Sequence, residues 1–151
     1  MKRNLIFTII ALVIVVALAG VYYYSKKTPD ILNDKPEAVV AAKELVAAFE
    51  KDTAAASRNY IDKVVEVSGR VKQIDTAGAI VLGEDGSPSE VVVGLDRRHK
   101  DDFKMLQVGQ STVVQGICSG YTKSGSSDPN DMLAALGTTV QLRSAGVKNK
   151  K

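Results

Sequence analysis

The stretch KVVEVSGRVKQID, residues 63–75, carries the architecture of this chain. Val65, Val67 and Val71 fall on one face with Gly69, while Glu66, Ser68, Arg70 and Lys72 fall on the other. That is the period of two of a half-buried strand. Ile74 breaks the phase, which predicts a bulge near Gln73. Gly69 removes the side chain that would resist bending. A long strand with a built-in bend is what closing a sheet into a barrel requires.

Working outward, AIVLG (79–83) and EVVVGL (90–95) read as the next two strands, joined by the turn-forming EDGSPS. DRRHKDDFKML (96–106) interrupts the alternation and predicts a short helix or helical turn, with Phe103, Met105 and Leu106 directed to the core. STVVQGIC (111–118) and TTVQLR (138–143) supply the fourth and fifth strands. Between them, Asp128, Pro129 and Asp131 ahead of MLAAL, with Gly137 behind, predict one or two capped helical turns. Upstream, Asp34 is placed to cap a helix, with Pro36 in its first turn and Glu37 three residues on. Val39, Ala42, Val46 and Phe49, with Leu45 beside them, form the apolar stripe of that helix, and a second helical piece follows over 53–59. Three strands, a helical connection and two strands is the order of an OB-fold, a five-stranded Greek-key barrel.

At the other end of the sequence, residues 5–24, LIFTIIALVIVVALAGVYYY, contain no charge. A run of about 20 apolar residues matches a bilayer core of roughly 30 Å at 1.5 Å per helical residue. Tyr22, Tyr23 and Tyr24 add the rings that favour a membrane interface, followed by Lys26 and Lys27. Lys2 and Arg3 ahead of the run, and the small residues of ALAG (17–20), also fit a cleaved secretory signal. Length and aromatic flank favour an uncleaved single-pass anchor. A short N-terminal tail of this kind stays cytoplasmic, so the expected location is a bacterial cytoplasmic membrane with the C-terminal domain facing the periplasm or exterior. The fold class expected is therefore mainly β with an N-terminal helix, an OB-fold barrel preceded by a transmembrane helix. Its parts are an anchor (1–27), a connector and amphipathic helical region (28–62), the barrel (63–146) and a basic tail (147–151).

The run YIDKVVEVSGRVKQID, followed by LQVGQSTVVQGICSGY, resembles the tRNA_anti-like family of bacterial OB-fold proteins. In that family a helical region precedes a strand of the type V-x-G-x-V and a later G-Q-x-V-x-V-x-G-x-C-x-G segment. The resemblance covers roughly residues 41–142 and rests on glycines and alternating valines, so it implies a fold rather than an activity. Members often carry a second cysteine near the last strand, where LRSAG has Ser144.

The chain has 20 Lys and Arg against 17 Asp and Glu, a net of +3. Lys2, Arg3, Lys26 and Lys27 belong to the anchor, which leaves −1 from Thr28 onward. Setting aside Lys148, Lys150 and Lys151 of the tail takes the remainder to −4, which is no footprint for a polyanion. Cys118 is the only cysteine and sits in an apolar, neutral run, without the cation or second thiol that would activate it. It reads as an inert strand residue. His99 is the only histidine and lies among Arg97, Arg98 and Lys100, which reads as a surface position. Asp101, Asp102, Asp128 and Asp131 read as caps. No catalytic set, metal site or cofactor motif can be assembled from these residues, so the expectation is a protein that is not an enzyme.

Arg70 and Lys72, on the outward face of the first barrel strand, and Tyr121, beyond the fourth, are the candidate ligand-binding residues. Two cations and one ring on an acidic background are poor equipment for single-stranded nucleic acid, which needs a basic groove and several stacking platforms. The reading is a membrane-tethered OB-fold binding module of unknown ligand, with an envelope protein or small molecule as partner. The alternative is a nucleic-acid-binding OB-fold protein whose domain lies in the cytoplasm.

Overall fold

The computed structural model of the chain describes residues 13–17, 30–75, 78–123 and 137–148. It divides into two compact units, Met1–Asp30 and Ile31–Lys151. In the first, residues 13–17 are helical, and Val13, Ile14, Val15 and Val16 are exposed. The rest of the expected membrane helix lies outside the described residues. Among the described residues no helix is long and apolar enough to cross a membrane.

The second unit opens with a 3-10 turn, Ile31–Asn33, then β1 (Ala38–Ala41), α1 (Ala42–Lys51) and α2 (Thr53–Tyr60). The barrel strands follow: β2 (Val64–Asp75), β3 (Ala79–Gly83), β4 (Glu90–Leu95), a 3-10 segment Arg97–Met105, β5 (Ser111–Lys123) and β6 (Thr138–Val147). The hydrogen-bonded order is β1-β2-β3-β4-β6-β5, and β5 returns to pair with β2. β2 to β6 thus form a closed five-stranded cylinder of OB type, with β1 added outside the closure. β4 and β6 are parallel, Glu90 opposite Thr139 and Val93 opposite Leu142, and the other barrel pairs are antiparallel.

β2 serves three neighbours. Val64 to Arg70 pair with β5, Val65 to Ser68 pair with β1 along the opposite edge, and Val71 to Asp75 pair with β3. The change of partner falls at Gly69 and Arg70, where the alternation leads one to expect a bend. The register slips between Val71 and Gln73, so the bulge inferred from Ile74 is present. Val65, Val67 and Val71 are buried with Ile80, Leu82, Val91, Val93, Val114, Cys118, Val140 and Leu142 in one core.

α1 touches all five barrel strands and stoppers one end of the cylinder. Leu45 and Phe49 are its fully buried plugs, with Ala42 and Val46 beside them. Phe49 packs against Tyr60 at 6.2 Å between ring centroids. Asp52 ends α1 and caps α2, its carboxylate accepting from the Ala55 N–H at 2.9 Å.

Four expectations need correcting. The helix does not begin at Asp34: residues 38–41 form β1, because β-branched Val39 and Val40 lie beside an unpaired edge of β2, and a parallel ladder there satisfies backbone groups that a helix start leaves open. Val39, assigned to the apolar stripe, is 69% exposed. Residues 97–105 wind as a 3-10 helix, whose three-residue turn places His99 and Asp102 inward, so Met105 is exposed and Phe103 only half-buried. β5 and β6 also run past the expected ends, to Lys123 and Val147. The helical turns inferred for 128–137 lie outside the described residues, apart from Gly137.

A Cβ on Gly69 would stand 2.9 Å from the Ala42 Cβ, so the glycine lets the stopper sit down on β2. Gly69→Ala is expected to cost about 1–3 kcal/mol through overpacking, read as a lower melting temperature of the β-sheet circular dichroism. Gly120→Ala, in open space, is the control and should melt nearly as the parent does. Cys118 is fully buried in β5 opposite Leu142. Its thiol should therefore react with a water-soluble maleimide only after denaturation, and fast labelling of the folded protein would contradict the packing.

Candidate functional site

Arg70 leaves β2 just after the bend and is held at two points. Its Nε donates to the Gly109 carbonyl at 2.9 Å, and a terminal nitrogen pairs with the Asp85 carboxylate at 2.9 Å. Lys43, in the first turn of α1, pairs with Glu84 at 3.2 Å. Between the two pairs runs a groove of about 510 Å³, walled by Ala41, Ala42 and Lys43 on one side and by Gly83, Glu84 and Asp85 on the other, with Ser68, Gly69 and Arg70 as its floor. All four charged side chains are more than half exposed. Such pairs are screened by solvent and contribute little to stability, so a ligand can replace either at small cost.

Lys72 is fastened more firmly. Its Nζ donates to the Ser87 carbonyl at 2.9 Å and pairs with Glu90 at 3.1 Å, with both side chains less than one-third exposed. It pins the turn between β3 and β4, which positions the acids facing Arg70. A second fastening ties that turn to the rest of the barrel: Ser89 Oγ donates to Glu50 at 2.7 Å and accepts from the Thr138 N–H at 3.0 Å.

Tyr121 stands apart from these two. It lies within β5 and stacks on Phe49, with ring centroids 4.8 Å apart and planes at 30°. Its exposed side opens on a shallow depression formed with Ser57, Arg58, Ile61, Ser119 and Gly120, which shares no residue with the Arg70 groove. The three residues picked from sequence thus fall into two places. Sequence reasoning missed Lys43, Glu84 and Asp85, because only the fold sets the α1 start against the EDG turn; the adjacent acids of that turn were the available signal.

The two reactive side chains are built into the wall. Burial pushes the Cys118 thiol up to about 11, with the nearby Asp62 carboxylate adding to the rise and a backbone hydrogen bond from Gly120 opposing it. The thiolate that nucleophilic chemistry needs is thereby disfavoured at neutral pH. His99 is not a surface residue as its neighbours imply: its side chain is 12% exposed, it lies with Leu32 over Gly146, and its Nδ1 is 3.7 Å from the Asp102 carboxylate. Asp102 is buried and accepts from the Val147 N–H at 3.3 Å, fastening the 3-10 segment to β6. Asp96 caps that segment, and hydrogen bonds from the Arg98 side chain and N–H hold its carboxyl well below the usual carboxylate range. Among the described residues no group of three or more His, Cys, Asp or Glu is disposed to hold a metal ion.

No curated protein matches the chain. Among solved structures it is similar to a candidate nucleic acid-binding lipoprotein from Klebsiella pneumoniae subsp. pneumoniae MGH 78578, at 15% identity and a TM-score of 0.48 over 72% of this chain and 89% of that one. It is also similar to a candidate aspartyl-tRNA synthetase from Leishmania major Friedlin, at 12% identity and a TM-score of 0.38 over 89% of this chain and 26% of that one. The asparaginyl-tRNA synthetase of Entamoeba histolytica, in complex with asparaginyl-adenylate, matches at 18% identity and a TM-score of 0.36 over 75% of this chain and 24% of that one. The family model tRNA_anti-like matches residues 1–127, which takes in β1 to β5. The chain belongs to the tRNA_anti-like family.

Proposed function

We propose that the protein is a membrane-tethered OB-fold binding module, not an enzyme, whose barrel faces the periplasm or exterior and takes a polar small molecule or a segment of an envelope protein. The observation that carries the binding role is the groove beside Arg70. It is bounded by two solvent-exposed ion pairs, Lys43–Glu84 and Arg70–Asp85, so it presents both signs of charge beside the small residues Ser68 and Gly69. A polypeptide or zwitterion can exchange those pairs for its own without leaving a buried charge unpaired. Arg70 is the ligand-contacting cation of this reading, and Lys72 shapes the groove by holding its far bank.

The non-enzymatic part of the reading is supported by where the reactive groups lie. The thiol is sealed in the core and the imidazole is packed against β6. The tether is supported by the uncharged run of residues 5–24, of which residues 13–17 are helical with apolar side chains exposed. Such a surface is stable in lipid and costly in water.

Nucleic acid with a cytoplasmic barrel is the second reading, and one observation favours it. Tyr121 offers a partly exposed ring backed by Phe49, and Arg58 beside it has no partner among the described residues. A ring and a cation side by side is the minimal element of base stacking.

Two measurements separate the readings. Alkaline phosphatase fused after Lys151 should be active and green fluorescent protein fused there should be dark; the reverse pattern places the barrel in the cytoplasm. The full chain in detergent should show no binding to single-stranded oligonucleotides at moderate salt. A submicromolar complex weakened at least tenfold by Tyr121→Ala would establish the second reading instead.

A further inference from the structure

The groove beside Arg70 continues at both ends. Through Ser68 and Arg70 it joins a depression of about 310 Å³ that reaches Ser111 and Val113 of β5. Through Lys43 and Glu84 it joins a slot of about 200 Å³ between α1 and the turn after β3, which reaches Glu50. The shared residues make one furrow of the three. From β5 across β2 to the end of β3 it crosses two strand spacings, roughly 10 Å. Between Lys43 and Glu50 it follows α1 for about 10 Å more, at 1.5 Å per residue. Together that is the reach of about six extended residues at 3.3 Å each, more than a compact zwitterion can fill.

Charge is sorted by sign across the furrow. Lys43 of the α1 wall and Arg70 of the floor carry the cations, and Glu84 and Asp85 of the opposite wall carry the acids. The other charged groups beside it are engaged elsewhere: Lys72 with Glu90, Glu50 with the Ser89 hydroxyl, Lys123 with the Glu50 carbonyl and Glu44 with the Ala41 N–H. Two of these contacts set the width. Ser89 Oγ donates to Glu50 at 2.7 Å and ties the turn to α1, while Lys72 donates to the Ser87 carbonyl at 2.9 Å and ties it to β2. Neither uses the four sorted charges, so both exposed pairs can open without the walls parting. The furrow is preorganised, and little of a ligand's binding energy goes into shaping it.

We propose that the furrow takes an extended polypeptide segment in which acidic and basic residues alternate. The inference deepens the binding role proposed above and rests on it. Successive side chains of an extended chain point to opposite sides. With acids at every second position, all of them meet Lys43 and Arg70, and the intervening bases meet Glu84 and Asp85. Each exposed pair that opens is then replaced by two, and no charge is left buried and alone. A segment with its acids and bases in separate blocks sends both signs to each wall, so part of its charge meets its like. Sorting of this kind selects the partner more than it raises affinity.

The test titrates the full chain, in a non-ionic detergent at low salt, against two dye-labelled hexapeptides of one composition, Glu-Lys-Glu-Lys-Glu-Lys and Glu-Glu-Glu-Lys-Lys-Lys, with fluorescence anisotropy as readout. Four modest exposed pairs multiply to roughly a tenfold preference for the alternating peptide. Glu84→Lys with Asp85→Lys makes both walls basic, and should abolish that preference and admit hexaglutamate instead. Lys43→Glu with Arg70→Glu is the converse and should admit hexalysine. All four side chains are more than half exposed, so the fold tolerates the changes. Arg58→Glu, in the depression beside Tyr121, should leave binding unaltered. Equal affinity for the two hexapeptides, an alternating complex indifferent to both double variants, or an equal loss with Arg58→Glu overturns the proposal. Calorimetric titration with the free dipeptide glutamyl-lysine reads the site separately. If the dipeptide binds, is lost in the Glu84/Asp85 variant and neither hexapeptide binds, the groove stands as a small-molecule site and the polypeptide is ruled out. If none of the three binds, the binding role proposed for the groove falls with it.

Discussion

The seating of Phe49 and Leu45 in the mouth of the cylinder is the constraint on which the remaining structure depends. A five-stranded barrel of this size has one open end that must be filled, and α1 fills it only because β2 carries no side chain at Gly69. That contact fixes where α1 starts, which places Lys43 at the rim, and fixes where β2 changes partners, which places Arg70 beside it. The groove is thus a by-product of closure: its walls are the stopper and the turn that the stopper faces. Burying a leucine and a phenylalanine there contributes several kilocalories per mole, more than all the exposed ion pairs around the rim.

The barrel strands were legible because each has a face in the core and a face outside, so alternation in the sequence maps directly onto burial. β3 and β4 end where their valines and glycines say they do, and the slip near Gln73 is visible as a phase error. β1 was not legible. Pro36, Glu37 and the spacing of Val39, Ala42 and Val46 satisfy a helix equally well, and only the presence of an open edge on β2, distant in sequence, selects a strand. The 3-10 segment misled for a related reason. An apolar residue is assigned inward by default, yet here the buried positions belong to Asp102 and His99, because the carboxylate is needed to receive the Val147 N–H.

The candidate site was half legible. Arg70 and Lys72 stand where a period of two puts them, but their roles differ through neighbours that sequence alone does not supply: Lys72 is consumed in holding a turn, and Arg70 is left at a rim. Tyr121, taken as a free ring beyond the fourth strand, belongs to the strand itself and leans on Phe49. Two aromatic rings that looked unrelated in sequence are one stack. The histidine was misjudged because three basic neighbours imply solvent, whereas a 3-10 turn can face one residue inward and leave those on either side exposed.

The parallel pairing of β4 with β6 has a kinetic consequence. β6 follows the other four barrel strands in sequence and supplies the join between β4 and β5, so the cylinder cannot close until residues 138–147 are available. Until then one edge of β4, which carries Val91, Val92 and Val93, and one edge of β5 are without their partner, a condition that favours association with other chains. Pairings this far apart in sequence also slow the search for the native arrangement. A nascent protein of this design gains from emerging beside a surface or chaperone that shields those edges until β6 arrives.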